Sequence, residues 1–410
     1  MKAYKYDVVV YGATSFAGQI TAKYLLQTYG LDQSVKWAAA GRSLAKLESL
    51  RQELGDAAFE LELLVADAED EAALAAICQQ TRVVISTVGP YDLYGSTLIK
   101  ACVEAGTDYC DLTGEIRWVR RMFEQYTDAA QTSGARIVNS CGFDSLPSDM
   151  GVFYLQQHAK QKFGSYCSRV SFRAKAADGS FSGGTVATML NETKVMSENP
   201  GLEDEVSDPY YGCPSDYDNN TEQHRVNGVE YDQDFDSWIA PFIMAAINEP
   251  VVFRSNALAD NRYGEDFRYN EAMLTAPGAK GKIIASLVSG AMKGFTGATK
   301  NSFMRGLLEK HVLPAPGEGP SVEAQEKGFY DLRFFGETAA GESIQVKVTG
   351  DRDPGYGSTA KMLAEAGVCL AQNIGKGDKP GGFWTPASVF DEGLIDRLCA
   401  KAGMTFEVID

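Results

Sequence analysis

The chain has 410 residues, of which 44% are hydrophobic and 23% are charged, and its formal net charge is −17. This length predicts two domains, and the composition is that of an ordinary globular protein. Because so acidic a surface repels phosphate backbones, nucleic-acid binding is not expected.

Processing signals and metal motifs are not expected in this sequence. The first apolar run is short and passes directly into a glycine loop, and no apolar stretch reaches the ~20 residues of a spanning helix. The eight cysteines are scattered without a Cys-x-x-Cys pair, and the three histidines lie far apart. We therefore expect reduced thiols, no bound metal and a cytoplasmic location.

The first ~140 residues alternate apolar runs with amphipathic segments. Helices are predicted where leucines recur every three or four positions from Leu44 to Leu54, and where apolar residues recur from Val119 to Tyr126. Buried strands separated by such helices indicate an α/β fold, with a doubly wound parallel sheet of the Rossmann type. The predicted strands are residues 6–11, 35–40, 61–66, 83–88 and 135–138.

The pattern changes after about Asp149. Residues 201–236 are rich in acids, and we expect an irregular surface insertion with a solvated acidic face. The other predicted elements are helices at 151–162, 185–198 and 357–371, a strand at 165–176, and a hairpin formed by 329–336 and 343–349.

A glycine loop follows the first strand in the sequence VVVYGATSFAG. A helix is predicted at 17–28, and Ser15 occupies the usual place of a middle glycine. Pyrophosphate must approach the backbone closely, and a helix N-terminus offers free N–H groups, so the pattern predicts a dinucleotide site; a merely structural glycine turn is the alternative. The predicted contact residues are Gly12, Ala13, Thr14, Ser15, Phe16 and Gly18.

The end of the second strand predicts which dinucleotide binds. It reads Ala-Gly-Arg42-Ser43, with Lys46 one turn later, and has no carboxylate to hold ribose hydroxyls. Arg42 can bind a 2′-phosphate bidentately and Ser43 can add a hydroxyl, so NADP is favoured. The alternative is a solvated arginine in a loop.

Two further strand ends are predicted to face the cofactor. Asp67 follows the third strand, where its carboxylate can accept from an adenine amine or cap the next helix. The fourth strand ends in Val88, Gly89 and Pro90, where bare backbone can face the ribose and nicotinamide.

Hydride transfer requires a positioned cofactor and a proton source. The candidate donors are Asp144, Tyr91 and Tyr356. Asp144 could instead cap the helix that starts near Pro147, and Tyr109 and Asp111 could face the cleft or lie in the core. No Tyr-x-x-x-Lys pair supports short-chain dehydrogenase chemistry, and no Gly-x-Ser-x-Gly elbow supports a hydrolase.

Several segments together resemble saccharopine dehydrogenase-like oxidoreductases. They are YGATSFAG, AGRSLAKL, STVGPY with GSTLIKAC, GTDYCDLTGE and CGFDSLPSD. The C-terminal DPGYGSTAKMLAEAGVCLA and GGFWTPASVFDEGLIDRL resemble the trans-acting enoyl reductase branch of that family. The resemblance covers most of the chain and is weakest over 201–236; Ser15 also departs from the glycine more usual in the family.

The resemblance implies a domain order and a cofactor. We expect an NADP-binding Rossmann domain at 1–145, an inserted α+β substrate and dimerisation domain at 146–350, and a C-terminal helical segment at 351–410 that returns to the first domain. A nicotinamide cofactor and a homodimer are also implied.

The substrate stays open between several hypotheses. The first is an NADP(H)-dependent reductase of an enoyl or carbonyl group on an apolar, lipid-like or acyl substrate. The basic, apolar stretch 280–310 fits an acyl chain, an acyl carrier or a peripheral membrane contact, unless it is a core helix with solvated lysines. Burial of residues 283–292 against the sheet, with no apolar cleft nearby, would remove the structural motivation for that substrate. The alternatives are a saccharopine-type amino-acid dehydrogenase and a non-catalytic NADP-binding sensor or scaffold.

Overall fold

The computed structural model describes residues 4–31, 34–179, 183–199, 201–300 and 319–409. The chain divides into two compact units. The first comprises Met1–Leu146 and Gly355–Gly403, and the second comprises Pro147–Pro354 and Met404–Asp410.

The first unit contains a parallel sheet of seven strands in the order β13-β6-β5-β4-β1-β2-β3. Its β1 strand carries an unbroken run of valines with almost no exposed surface, as expected for a strand covered on both faces. The doubly wound Rossmann fold predicted from the sequence is therefore confirmed. The strands are β1 Tyr6–Tyr11, β2 Trp37–Gly41, β3 Glu62–Val65, β4 Thr81–Ser86, β5 Asp108–Asp111, β6 Arg136–Val138 and β13 Gly382–Trp384.

Helices connect these strands and cover the sheet. The helix Ile116–Ser133 buries Trp118, Val119, Met122 and Phe123, which recur at helical spacing and form one apolar face. The helices of this unit are α1 Phe16–Tyr29, α2 Leu44–Glu53, α3 Glu71–Gln80, α4 Tyr91–Tyr94, α5 Ser96–Ala105, α6 Ile116–Ser133, α13 Thr359–Gln372, α14 Pro386–Val389 and α15 Asp391–Lys401.

Two strands of the parallel sheet, β13 and β5, were not predicted from the apolar pattern, and the physical reason is visible in β5. It begins and ends with buried aspartates, Asp108 and Asp111. Asp108 is paired with the buried guanidinium of Arg136 and with Lys376, so its charge is compensated inside the unit. The compensating partners are distant in sequence, and the local pattern therefore does not reveal a buried strand.

The second unit is built on a mixed sheet in the order β14-β12-β11-β7-β10-β9-β8. Strands β7 and β10 are parallel, and the other pairs are antiparallel. The predicted hairpin is present as β11 and β12. The strands are β7 Cys167–Asp178, β8 Glu230–Asp232, β9 Ser237–Pro241, β10 Arg268–Leu274, β11 Phe329–Thr338, β12 Ser343–Gly350 and β14 Met404–Ile409; the helices are α7 Leu146–Phe163, α8 Gly183–Glu198, α9 Leu202–Ser207, α10 Ala245–Leu258, α11 Gly278–Lys300 and α12 Val322–Lys327.

Two carboxyl groups lie buried between α10 and β10. Glu271 accepts hydrogen bonds from the Tyr269 hydroxyl (2.7 Å) and the Asn248 amide (2.8 Å). Glu249 accepts from the Glu271 backbone N–H (3.1 Å) and from Nε of Arg225 (3.0 Å). Burial raises the pKa of Glu271 to about 8 and that of Glu249 to about 7, and the nearby Glu249 adds to the rise at Glu271.

The acid-rich segment 201–236 is largely irregular, but its acids are not all solvated. Asp232 is buried and bound by Arg173, and Asp234 is bound by Arg169. Both arginines project from β7. The expectation of a solvated acidic face is wrong for this end of the segment, because the guanidinium groups of Arg173 and Arg169 form ion pairs with its carboxylates.

Helix α11 does not bury its bulky residues against the sheet. Ile283 and Leu287 are 62% and 69% exposed, whereas Ala285 and Ser289 are buried. The burial that would have removed the lipid hypothesis is therefore not found, and residues 301–310 of the stretch lie outside the described residues. Among the residues that are described, none belongs to a helix long and apolar enough to cross a membrane.

Candidate active site

The residues predicted to bind cofactor meet at the carboxyl ends of β1, β2 and β4. Tyr11, the last residue of β1, pairs with Ala40 of β2 and with Ser86 of β4. Strand order reverses at β1, since the chain continues outward to β2 and β3 and then returns to β4. Ligands of open α/β sheets bind at such a reversal, beyond the carboxyl ends of the strands.

Gly12 and Gly18 make a backbone cradle that side chains would fill. Gly12 has φ +86°, and a Cβ there would lie 2.6 Å from Cγ2 of Val88. A Cβ on Gly18 would lie 2.1 Å from the Gly12 carbonyl oxygen. Helix α1 therefore starts directly against the end of β1, which is the arrangement that a pyrophosphate requires.

Ser15 is the N-cap of α1. Its hydroxyl accepts from the Gly18 N–H (3.0 Å) and lies 2.9 Å from the Thr87 hydroxyl. Thr87 also donates to the Gly12 carbonyl (2.9 Å), so one residue after β4 fixes both sides of the glycine loop. Thr87 was not singled out in the sequence; its signal is a hydroxyl residue directly after the strand that adjoins β1.

The remaining loop residues lie between β1 and α1. Ala13 has no exposed surface, and the Thr14 carbonyl accepts from the Gln19 amide (3.1 Å). Phe16 opens α1 and packs its ring against Tyr356, with 4.4 Å between the ring centroids. The loop is thus held by contacts within the first unit.

Arg42 is exposed directly after β2 and has no ion-pair partner within the described part of the chain. Ser43 caps α2 by accepting from the Lys46 N–H (3.4 Å), and Lys46 is exposed one turn into that helix. Burial raises the pKa of the Tyr11 phenol to about 12, Asp67 adds to the rise, and Arg42 opposes it. A cationic guanidinium and an adjacent hydroxyl therefore lie at this strand end, as a 2′-phosphate requires.

Asp67 does not cap α3. The cap is Asp70, which accepts from the Ala73 N–H (3.0 Å), whereas the Asp67 carboxylate accepts from the Glu69 N–H (3.1 Å). Asp67 is exposed beyond β3 and retains a free carboxylate oxygen among the described contacts, so the adenine contact remains a prediction.

Strand β4 ends at Ser86, two residues earlier than predicted, so Val88, Gly89 and Pro90 all follow it. Gly89 is exposed, and Val88 and Pro90 are half-buried, so backbone is accessible at this strand end. The turn leads into α4, whose first N–H groups, on Tyr91 and Asp92, donate to the buried Glu115 carboxylate at 2.7 and 2.8 Å.

The Tyr91 phenol is buried in hydrogen bonds rather than open to a reactant. Its hydroxyl donates to the Ser86 carbonyl (3.0 Å) and accepts from the Leu112 N–H (3.5 Å). Burial raises the pKa of Tyr91 well above its ordinary value, and the nearby Asp111 carboxylate adds to the rise. These contacts argue against Tyr91 as a proton donor.

Asp144 lies on the loop after β6, at the same carboxyl edge of the sheet. Phe143, beside it, donates its N–H to the Thr359 hydroxyl (3.0 Å) at the start of α13. The Asp144 carboxyl is half-buried and has no hydrogen bond to any described residue, so the predicted helix cap is not formed. Burial raises its pKa to about 6.

Asp111 holds the loop that carries Asp144. Its carboxylate accepts from the Ser140 N–H (3.0 Å), the Thr113 N–H (3.1 Å) and the Asn139 amide (2.8 Å). The Tyr109 hydroxyl also donates to it. Both Tyr109 and Asp111 are fully buried, so they belong to the core rather than to an open cleft.

Tyr356 is buried in a π-helical turn, Pro354–Ser358. Its ring meets Phe16 edge to face. That contact places the residue beside the start of α1, so the third predicted donor lies next to the glycine loop.

Substitution of Gly18 by Ala should prevent the glycine loop from closing. The added methyl would overlap the Gly12 carbonyl, and relief requires the backbone of α1 or β1 to shift, which costs about 1–3 kcal/mol. We expect a lower midpoint in urea unfolding and loss of detectable NADPH binding by calorimetry. Gly290→Ala is the control, because nothing lies within 4 Å of a Cβ there. Equal binding by the Gly18 variant and wild type would contradict the cradle.

Comparison with known proteins gives a consistent family. Residues 8–138 match the family model of the saccharopine dehydrogenase NADP binding domain. A Mycobacterium tuberculosis (strain ATCC 25618 / H37Rv) protein, provisionally named a trans-acting enoyl reductase, is 36% identical over 98% of this chain and 97% of its own length. The trans-acting enoyl reductase of Mycobacterium bovis (strain BCG / Pasteur 1173P2) is 34% identical over 96% of both chains.

A solved structure supports the fold independently. Saccharopine dehydrogenase (L-Glu forming) from Saccharomyces cerevisiae superposes with a TM-score of 0.53 at 12% identity, covering 99% of this chain and all of that one. At this identity the likeness concerns the fold alone. The curated relatives and the matched domain together show that the chain is an NADP-dependent oxidoreductase of the saccharopine dehydrogenase-like family, in the branch that contains the trans-acting enoyl reductases.

Proposed function

We propose that the chain is an NADPH-dependent reductase of an enoyl group on an apolar, lipid-like or acyl substrate. The observation that carries the proposal is a half-buried carboxyl with a raised pKa, Asp144, on the sheet edge that also carries the glycine cradle. A proton source and a cofactor site at one edge are what a reductase needs. The names of the curated relatives supply the enoyl specificity.

The geometry of the first unit supports the cofactor contacts in this proposal. The glycine loop and the start of α1 would hold the pyrophosphate, Arg42 with Ser43 and Lys46 the 2′-phosphate, Asp67 the adenine, and the backbone after β4 the nicotinamide half. NADPH, when bound, supplies the hydride. The contact residues are Gly12, Ala13, Thr14, Ser15, Phe16, Gly18, Arg42, Ser43, Lys46, Asp67, Val88, Gly89 and Pro90.

The chain supplies the proton. Hydride addition to the β-carbon of a conjugated enoyl group leaves negative charge on the α-carbon and carbonyl, and a neutral carboxyl can quench that charge. With a pKa of about 6, Asp144 holds its proton more tightly than an exposed aspartate and returns to the protonated form readily. Tyr356 is the second candidate, and Tyr91 is not retained because both of its hydroxyl contacts are structural.

Several finer features belong to the same proposal. The chain pairs as a homodimer, works in the cytoplasm and makes peripheral contact with a membrane. A carbonyl group as the reducible function, a saccharopine-like amino-acid substrate and a non-catalytic sensor are the competing possibilities, and each predicts a different outcome in an activity assay.

The assay follows NADPH absorbance in three samples: NADPH with a long-chain trans-2-enoyl thioester, NADPH with a matching ketone, and NADP⁺ with saccharopine, which can only be oxidised and would form NADPH. We expect NADPH consumption with the enoyl compound and one solvent deuterium in the reduced product when the reaction is run in D₂O. Consumption only with the ketone would replace the enoyl proposal. Turnover in the saccharopine sample would show that the chain is an amino-acid dehydrogenase. Binding of NADPH without turnover of any compound would favour the non-catalytic sensor.

Replacement of Arg42 by Ala should remove the preference for NADPH. A charge-assisted hydrogen bond contributes about 1.5–3 kcal/mol, so the Kd for NADPH should rise about 10- to 100-fold while the Kd for NADH stays constant. Tryptophan fluorescence titration with both nucleotides measures this. Lys23→Ala removes an exposed cation from α1 and serves as the control. A parallel loss for both nucleotides would place Arg42 outside the 2′-phosphate site.

A further inference from the structure

Helix α11 presents aliphatic side chains to solvent. Ile283, Ile284 and Leu287 are 62%, 38% and 69% exposed and lie on neighbouring turns. We call these three residues, with Lys280 and Lys293, the α11 surface. Among the other exposed large apolar residues of the described chain, Phe59 and Val322 stand alone, as on ordinary protein surfaces, and Leu93 and Tyr94 form an adjacent pair on α4.

The orientation of α11 is the reverse of an ordinary surface helix. Its inner face against the second unit carries small residues, with Gly281, Ala285 and Ser289 buried. A surface helix normally turns its bulky apolar residues inward and its small or polar residues outward. Ile283 and Leu287, which are mostly exposed, therefore contribute little to the packing of the unit, and their exposure calls for an apolar environment outside it.

The charge of α11 is also unlike that of the whole chain. The helix contains Lys280, Lys282, Lys293 and Lys300 and no acidic residue, whereas the chain carries a net charge of −17. Lys280 and Lys293 are exposed, and Lys282 lies over the Trp238 ring at 4.8 Å. The helix is thus a basic patch on an acidic protein.

We propose that the α11 surface docks on a membrane that contains anionic lipids. Exposed lysines are attracted to anionic headgroups, and Ile283, Ile284 and Leu287 can enter the boundary between headgroups and acyl chains. The helix lies in the plane of the interface, since no described helix has the apolar length to span a bilayer.

This docking gives the proposed function a source of substrate, and in that respect it rests on the proposal of an apolar substrate. Long-chain acyl compounds partition into bilayers, and a reductase held at the interface samples them at a higher local concentration than one in bulk water. The binding itself needs neither NADPH nor turnover. It can therefore be tested apart from the enzymatic activity.

The test is co-sedimentation of the full chain with sucrose-loaded vesicles of phosphatidylcholine alone, or of phosphatidylcholine mixed with phosphatidylglycerol. We expect binding to the mixed vesicles that weakens as salt is added. The double variant Ile283→Ser with Leu287→Ser should lose about tenfold or more in partition coefficient, because the inserted aliphatic surface is removed. The double variant Lys280→Gln with Lys293→Gln should lose the preference for the anionic lipid.

Phe59→Ser is the matched control, because Phe59 is 76% exposed but lies in the first unit. It should bind vesicles as wild type does. Absence of wild-type binding to the mixed vesicles, or equal binding by the Ile283/Leu287 variant, would overturn the proposal. If light scattering shows that this variant instead reduces the oligomeric mass, the α11 surface is a contact between chains and the lipid proposal is wrong.

Failure of membrane docking and failure of the proposed reductase give different results. A water-soluble, short-chain enoyl thioester should be reduced equally by wild type and both double variants in the absence of vesicles. Vesicle binding without reduction of any enoyl compound would support membrane docking and refute the reductase. Reduction without vesicle binding would support the reductase and refute membrane docking.

Discussion

Substitution of Asp144 by Asn should lower kcat for enoyl reduction by about 10²- to 10⁴-fold, the range typical for loss of a positioned general acid. Asn has nearly the same shape but cannot give up a proton. Because the Asp144 carboxyl has no hydrogen-bond partner among the described residues, the substitution breaks no contact that holds the loop. The Kd for NADPH should therefore remain that of wild type.

The dependence of rate on pH provides a second readout. Asp144 has a pKa of about 6, and a general acid must be protonated, so kcat should fall as the pH rises above that value. The residual activity of the Asn variant should not show this fall. Steady-state kinetics over a pH series, with NADPH saturating, measures both properties.

The substitution Tyr356→Phe distinguishes between the two remaining candidate proton donors, Asp144 and Tyr356. It removes the hydroxyl and keeps the ring that packs on Phe16. If Asp144 is the donor, the Phe variant should keep most of its kcat and the wild-type pH profile. A full rate in the Asn variant with a large loss in the Phe variant would assign the proton to Tyr356 instead.

Substitution of Glu271 by Gln should flatten the pH dependence of folding stability. The pKa of Glu271 is 4.5 in the unfolded reference and about 8 in the fold. A carboxyl with a raised pKa contributes fully below its unfolded pKa, and the contribution is lost as the pH rises through the folded value. The free energy of unfolding of wild type should thus decrease between pH 4.5 and 8.

The part of that decrease that belongs to Glu271 is on the order of a few kcal/mol, because each unit of pKa difference corresponds to about 1.4 kcal/mol and the group is fully buried. Gln carries no titrating proton, so the variant should lose this part. Urea unfolding at a series of pH values measures it. Glu326→Gln, an exposed change in the same unit, should keep the wild-type slope. A similar slope in both variants would show that folding does not raise the pKa of Glu271.

The parallel sheet could be predicted well where apolar residues are contiguous. Strand β1 has the predicted bounds, and the strands predicted at 35–40, 61–66, 83–88 and 135–138 differ from β2, β3, β4 and β6 by one or two residues at their ends. Strand β5 was not predicted because the partners of its buried aspartates come from a later strand and its loop: Arg136 forms an ion pair with Asp108, and Asn139 donates a hydrogen bond to Asp111. Long-range charge pairing leaves no periodic trace in the local sequence.

The sequence predicted where the candidate site residues lie more reliably than what each of them does. The fingerprint located Gly12 and Gly18, whose close backbone approach follows from their lack of Cβ atoms. Ser15 had been treated as a departure from the glycine pattern, yet it supplies the cap of α1. The Tyr91 hydroxyl is engaged in two hydrogen bonds, whereas the Asp144 carboxyl has no hydrogen-bond partner among the described residues. Both environments result from tertiary packing, which the local sequence does not show.

The strand Met404–Ile409 pairs along β12 and completes the edge of the second sheet, while the preceding Gly355–Gly403 belongs to the first unit. During synthesis the chain emerges from its N-terminal end, and a domain folds when its parts are available. The second sheet is therefore completed only after residues 404–409 have left the ribosome, and until then β12 has an unpaired edge that can join other chains. A deletion of six residues at 404–409 should consequently favour aggregation, although it removes none of the residues assigned to cofactor or proton transfer.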